Sequence, residues 1–185
     1  MYLNPKLNEI EAIGLLTKKK QFFWEKYFPR KEDFVRTELI YLPYYLFVAD
    51  MHGNEIKFKK ILSVDAMDGY AAFFYSDEND INPDCDETTC HEFNIAEDTA
   101  LKIAKEYCRG YFLEQGLRVR KHATLDGIVF LKKVYFPFWI GYFRKSGKYD
   151  FKAIDAISGA SQGIRMRKVF LKALRFLKAQ PSGIN

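Results

Sequence analysis

One aromatic pattern occurs twice in this chain, and it restricts the architecture more than any other feature. Leu42-Pro43-Tyr44-Tyr45-Leu46 is followed by a turn at Gly53 and then by Val64-Asp65-Ala66 and Gly69. Phe136-Pro137-Phe138-Trp139-Ile140 is followed by a turn at Gly147 and then by Ile154-Asp155-Ala156 and Gly159. The copies lie 94 residues apart at the proline and 90 at the aspartate, so the second hairpin is four residues shorter. An aspartate with a glycine four residues on is turn chemistry, since the carboxylate can accept the backbone N–H groups of the turn. Two copies of one local turn also give their carboxylates similar surroundings. A catalytic acid–base pair needs the opposite, environments that push two pKa values apart. Asp65 and Asp155 are therefore read as structural.

Around this pattern the spacing of apolar residues predicts the other elements. Asn8 to about Tyr27 has helical spacing through Ile10, Ile13, Leu16, Phe23 and Tyr27, and Pro29 ends it. Glu38 to Asp50 reads as a strand, with Pro43 suggesting an edge or a bulge. His52-Gly53-Asn54 makes the turn, Ile56 to Val64 the return strand, and Tyr70 to Tyr75 a third. Ala96 to Gln115 is the clearest helix, with Gly116 as its stop. Leu117 to His122 and Ile128 to Lys133 read as short strands before the second hairpin. Ile164 to Ala179 is a helix with Met166, Val169, Phe170, Ala173, Leu174 and Leu177 on one stripe, and Pro181 lies beyond it. The expected fold class is α+β: two related helix-plus-antiparallel-sheet units with a C-terminal helix. Residues 1–76 form the first unit, 77–95 an acidic loop, and 96–185 the second unit with that helix.

With 48% hydrophobic and 17% aromatic residues in 185, the chain has ample material for a core. No apolar run approaches the roughly 20 residues that span a bilayer. The stretch from Met1 to Lys6 lacks the pattern of a secretory signal, and three cysteines make no disulfide framework, so cytoplasmic residence is expected. Charge is segregated. Nine acids and no Lys or Arg fall between Asp77 and Asp98, whereas fifteen basic residues face only Asp126, Asp150 and Asp155 between Leu117 and Gln180.

The second unit resembles a PepSY-type domain, the small helix-plus-sheet module found in propeptides of thermolysin-type peptidases and in stand-alone proteins. The resemblance is carried by Ala100-Leu101-Lys102-Ile103-Ala104-Lys105, by Tyr135, Gly147, Tyr149 and Phe151, and by Ile154-Asp155-Ala156-Ile157-Ser158-Gly159. The first unit matches more weakly, through Tyr41, Gly53, Phe58, Val64-Asp65-Ala66 and Gly69. The resemblance implies a binding or regulatory module and transfers no catalytic residue.

Four rings are nominated as a contact surface for a protein or peptide partner, or for a second copy of the chain: Tyr44, Tyr45, Phe138 and Trp139. They are large, they recur, and they stand beside prolines expected to expose a sheet edge, where a peptide can add as a strand. The alternative is nucleic-acid or anionic-surface binding through the basic C-terminal half, with Arg144, Lys145 and Lys148 beside stacking rings and six cations on the last helix. Cys85, Cys90 and His91 lack the second ligand pair of a structural zinc module, and Asp80, Asn82, Asp84 and Asp86 lack the glycine of a calcium loop, so no metal is assigned. His52, His91 and His122 come with no nucleophile signature, and no Gly-rich phosphate loop is present, so neither catalytic residue nor cofactor is assigned.

Overall fold

Why the prolines can sit inside strands is visible in the hydrogen bonds at the end of each hairpin. The computed structural model describes residues 1–18, 32–53, 56–74, 81–82, 91–119, 123–145 and 147–179. The elements in chain order are β1 (Tyr2–Leu3), α1 (Glu9–Thr17), β2 (Glu32–Gly53), β3 (Ile56–Asp65), β4 (Ala71–Phe74), β5 (Ile81–Asn82), α2 (Glu97–Val119), β6 (Ala123–Lys145), β7 (Lys148–Asp155) and α3 (Ile164–Ala179). Strand order is β4-β3-β2-β6-β1-β5, with β7 also paired to β6. Most pairings are antiparallel, and β1 is parallel to β6. The fold is α+β. Among the described residues, no helix is long and apolar enough to cross a membrane.

The ladder between β2 and β3 ends at the pair Tyr44↔Asp65. One residue further, Pro43 C=O accepts the N–H of Ala66 at 2.9 Å. A residue's N–H and C=O point to the same side of a strand, so the missing proline N–H faces Ala66, whose C=O accepts instead from Asn94 and Ile95. The ladder between β6 and β7 ends likewise at Phe138↔Asp155, and Pro137 C=O accepts from Ala156 N–H at 3.1 Å. Both prolines are buried and mark the end of a ladder. They do not mark an exposed edge.

The turns that follow repeat one set of bonds. Asp65 accepts Met67 N–H and Asp68 N–H at 3.0 Å each, and Asp155 accepts Ile157 N–H at 2.7 Å and Ser158 N–H at 3.1 Å. Gly69 and Gly159 donate back to the aspartate carbonyls at 2.9 Å, from φ angles of 78° and 73° that other residues rarely adopt. The turn chemistry read from the sequence is present at both positions.

Two compact units divide the described residues, and they are not consecutive stretches of chain. One takes Met1–Leu3 with the described parts of Leu42–Cys85 and Cys90–Phe136, and the other takes the described parts of Asn4–Tyr41 and Pro137–Asn185. Boundaries at residues 76 and 96 would have placed α1 with the first hairpin. Instead, Lys6 and Leu7 donate their N–H groups to Ala156 C=O at 3.0 Å, on the second hairpin. Leu16 of α1 packs where Gly141 leaves room, with Ala12, Phe143 and Ile154 in the same buried cluster. A capping box between Asn8 and Glu11 starts the helix.

In the other unit Asn94 and Ile95 donate to Ala66 C=O, just before α2. Ala100, Ala104 and Cys108 then lie against Tyr45, Phe47, Leu62 and Val64. Small residues on the helix let it approach the aromatic sheet face closely. Helix α2 runs through Gly116 to Val119, so the expected strand from Leu117 is replaced by helix; its two interior glycines, Gly110 and Gly116, cost about 1 kcal/mol each, which the rest of the helix absorbs. The expected strands from Ile128 to Lys133 and from Tyr135 onward are one strand, β6. Helix α3 has the bounds expected from its periodicity and buries Met166, Val169, Phe170 and Ala173 on the hairpin face carrying Phe138 and Phe151. Fully burying a Phe such as Phe170 contributes about 1.5–3 kcal/mol.

Candidate functional site

The four nominated rings are largely inside. Tyr44 is 8% exposed, Tyr45 2% and Phe138 4%. Tyr45 is pinned by its hydroxyl, which donates to Ile95 C=O at 2.8 Å, while Phe138 meets Phe170 edge-on. Trp139 is half-buried, and its Nε1–H donates to Leu7 C=O at 2.9 Å. An open contact surface at these positions is therefore corrected: Tyr45 packs with α2, Phe138 with α3, Trp139 is tied to the segment before α1, and Tyr44 meets Phe136.

The aromatic face of the second hairpin opens toward its tip, from Phe151, buried at 8% exposure, through half-buried Tyr142 to exposed Tyr149. Tyr142 and Phe151 are partners in the β6–β7 register, so their side chains stand together on one face. Tyr149, two residues from Phe151, shares that face and is 74% exposed. Arg167, Leu171 and Leu174 come down from α3 at helical spacing, and Val35 and Arg36 come from β2. Together with Asp150 they line a groove of about 480 Å³.

Two guanidinium groups lie over ring faces in this groove. Arg36 Cζ is 4.9 Å from the Tyr142 ring centre, and Arg167 Cζ is 4.4 Å from that of Phe151. Tyr142 donates its hydroxyl to Glu38 at 2.9 Å, and Glu38 also meets Arg36 at 3.5 Å. Burial, then the neighbouring Glu38 carboxylate, push the Tyr142 phenol far above its ordinary value, so it remains a neutral donor. Arg167 bonds Phe151 C=O at 3.0 Å and pairs with Asp150. Burial alone would raise the Asp150 carboxyl, but Arg167 and the Phe151 N–H together hold it below the usual range. Beyond the groove, Glu32 bridges Lys145 and Lys152 at 3.0 and 2.7 Å.

A polar constellation at the tip of the first hairpin tests the chemistry of catalysis. Both Thr124 Oγ1 (2.9 Å) and Asp126 Oδ1 (3.3 Å) approach the same nitrogen of His52, Nδ1. A nucleophile–base–acid relay needs the hydroxyl on one ring nitrogen and the carboxylate on the other. This arrangement is a surface hydrogen-bond cluster. His91 is buried at 2% exposure, which pushes its imidazole down toward the neutral form. His122, Cys85, Cys90 and the acidic oxygen ligands at 80, 84 and 86 lie outside the described residues. Among the described residues no cluster of three or more His, Cys, Asp or Glu could hold a metal ion.

Sequence reading missed Val35, Arg36, Tyr142 and Arg167 as groove residues. Alternate aromatic residues at Tyr149 and Phe151 were the one signal available, because period-two spacing puts both on a single face. By fold and site, the chain is an α+β protein with an open aromatic–arginine groove in one of its two units. No family model, curated protein or solved structure matches it.

Proposed function

We propose that the protein is a non-enzymatic binding module whose contact surface is the groove between the tip of the second hairpin and α3. The observation that carries this reading is a groove of about 480 Å³ floored by Tyr142 and Phe151, each with an arginine on its face. A volume of that size falls within the range of roughly 300–1,000 Å³ usual for ligand sites. Exposed Tyr149, Val35 and Leu171 extend its apolar rim. Rigid aromatic area flanked by guanidinium groups is the composition of binding hot spots. The PepSY-type resemblance, implying binding without catalysis, points the same way.

Titrating the 15N,13C-labelled chain with 3-phenylpropionate at millimolar concentration tests the reading. Methyl signals of Val35 and Leu171 and ring signals of Tyr149 shift saturably, and Leu171→Asp abolishes the shifts. Saturable shifts confined to other residues, or none, refute it. Nucleic-acid or anionic-surface binding is the second reading, favoured by the exposed Arg165, Lys168 and Lys172 on α3. It predicts affinity that falls steeply with salt.

A further inference from the structure

The outer edges of the two hairpins are finished differently. Along β3, strand β4 covers the edge from the pair Ile61↔Phe74 to Val64↔Ala71. Counted from the Asp-x-x-x-Gly turn, the matching stretch of β7 is Phe151 to Ile154. There the chain makes one bridge, Ile154↔Ser161, and one more backbone bond, from Gln162 N–H to Ala153 C=O at 2.9 Å. It then turns into α3 at Ile164. Among the described residues β7 pairs with β6 alone, and no strand lies along its outer edge from Lys148 to Phe151.

Side chains hold the edge instead. Backbone groups of alternate residues point to the same side of a strand, so Phe151 faces outward as Ala153 does. Phe151 N–H donates to Asp150 Oδ1 at 2.8 Å, and Phe151 C=O accepts from Arg167 Nη1 at 3.0 Å. Asp150 and Arg167 are also paired with each other. One ion pair thus fills the donor and acceptor positions that a neighbouring strand would fill. Each of its side chains is 44% exposed, so little holds the pair closed.

We propose that β7 takes an extended acidic peptide segment as an added strand. The incoming backbone replaces Asp150 and Arg167 at Phe151, and a carboxylate of the peptide takes Arg167. This rests on the reading of the groove as the contact surface. Charge selects the occupant. Arg36 and Arg167 line the groove, and exposed Arg144, paired with Tyr149 in the strand register, and Lys148 stand at the hairpin tip. Against them are Asp150 within the groove and Glu38 beside it. Backbone pairing supplies affinity, and alternate acids of the segment stand on the α3 side with Arg167, while the residues between them face the other way.

The test uses the labelled full chain and two blocked hexapeptides, one alternating Glu and Val, the other alternating Gln and Val. The acidic peptide slows hydrogen exchange at the Tyr149 amide and binds about tenfold more tightly than its neutral counterpart, as two or three surface ion pairs allow. Arg167→Gln brings the two affinities within about twofold of each other, on the loss of the charge-assisted pair. Comparing the peptides on the unaltered chain needs no variant, so a misfolded substitution leaves the test intact. Equal affinities with Tyr149 protected overturn the acidic occupant and leave the groove reading standing. Binding of neither peptide overturns strand addition, and the phenylpropionate titration then decides the groove reading by itself. Tighter binding of a single-stranded oligonucleotide at the same edge, or protection of Tyr149 by self-association alone, also overturns the proposal.

Discussion

Removing the carboxylate of Asp65 separates the contribution of the turn from that of the aromatic core around it. Asp65 is fully buried, and its two oxygens accept the N–H groups of Met67 and Asp68 at 3.0 Å. In Asp65→Ala the Met67 N–H is left without its acceptor in a buried place, a cost of about 1–3 kcal/mol. The Asp68 N–H is nearer to water and adds less than about 1 kcal/mol. The lost carboxylate also gives up its own desolvation penalty, which places the net loss near 1–3 kcal/mol, an order-of-magnitude figure. For a chain of this length, about 2–4 °C per kcal/mol gives a Tm lower by roughly 2–12 °C. Asp155 accepts from the matching two positions but is only half-buried, as is Ile157, and Ser158 is exposed. Asp155→Ala therefore costs less, about 0.5–1.5 kcal/mol, as for an ordinary lost cap. Urea unfolding followed by far-UV circular dichroism ranks the two variants. Native-state hydrogen exchange at Met67 and Ile157 reads each turn separately. An Asp155→Ala variant as destabilised as Asp65→Ala, or an Asp65→Ala loss below about 0.5 kcal/mol, would refute the reasoning from burial.

Gly69→Ala and Gly159→Ala each lose about 1–2 kcal/mol, since both place a Cβ at positive φ. Gly69→Ala is the worse of the two, because its Cβ would stand 2.8 Å from Ile103 Cδ1, against 3.0 Å from Leu15 Cδ1 at Gly159. Equal Tm values for the pair would deny that close approach any role. Burial lowers the folded-state pKa of His91 below 6.5, so the unfolded chain binds the extra proton first. Stability is thus full above pH 6.5 and falls as pH drops through the folded pKa; His91→Met flattens this part of the urea midpoint against pH. In Glu32, bonding to Lys152 outweighs burial, and with Lys145 it lowers the carboxyl below 4.5. Its stabilisation is present above pH 4.5 and lost in more acid solution, and Lys152→Met with Lys145→Met shrinks that acid loss.

Local chemistry made part of this protein legible in advance. The acid-free amphipathic stripe from Ile164 to Ala179 is a helix with those bounds, and the Asp-x-x-x-Gly turns are capped as their residues require. These features depend on residues within four or five positions of one another, so sequence alone determines them. Which helix serves which hairpin was decided only in three dimensions. Both α1 and α2 are preceded by two backbone N–H groups fit to meet an Ala carbonyl, yet α1 joins Ala156, about 150 residues away, and α2 joins Ala66. Packing of distant elements buried Tyr45 against α2 and Phe138 and Phe151 against α3, and left Tyr142 half-buried and Tyr149 exposed. An aromatic residue on a strand favours a face of a sheet and carries no mark of what covers that face. Only the packing of distant elements settles whether it becomes core or surface.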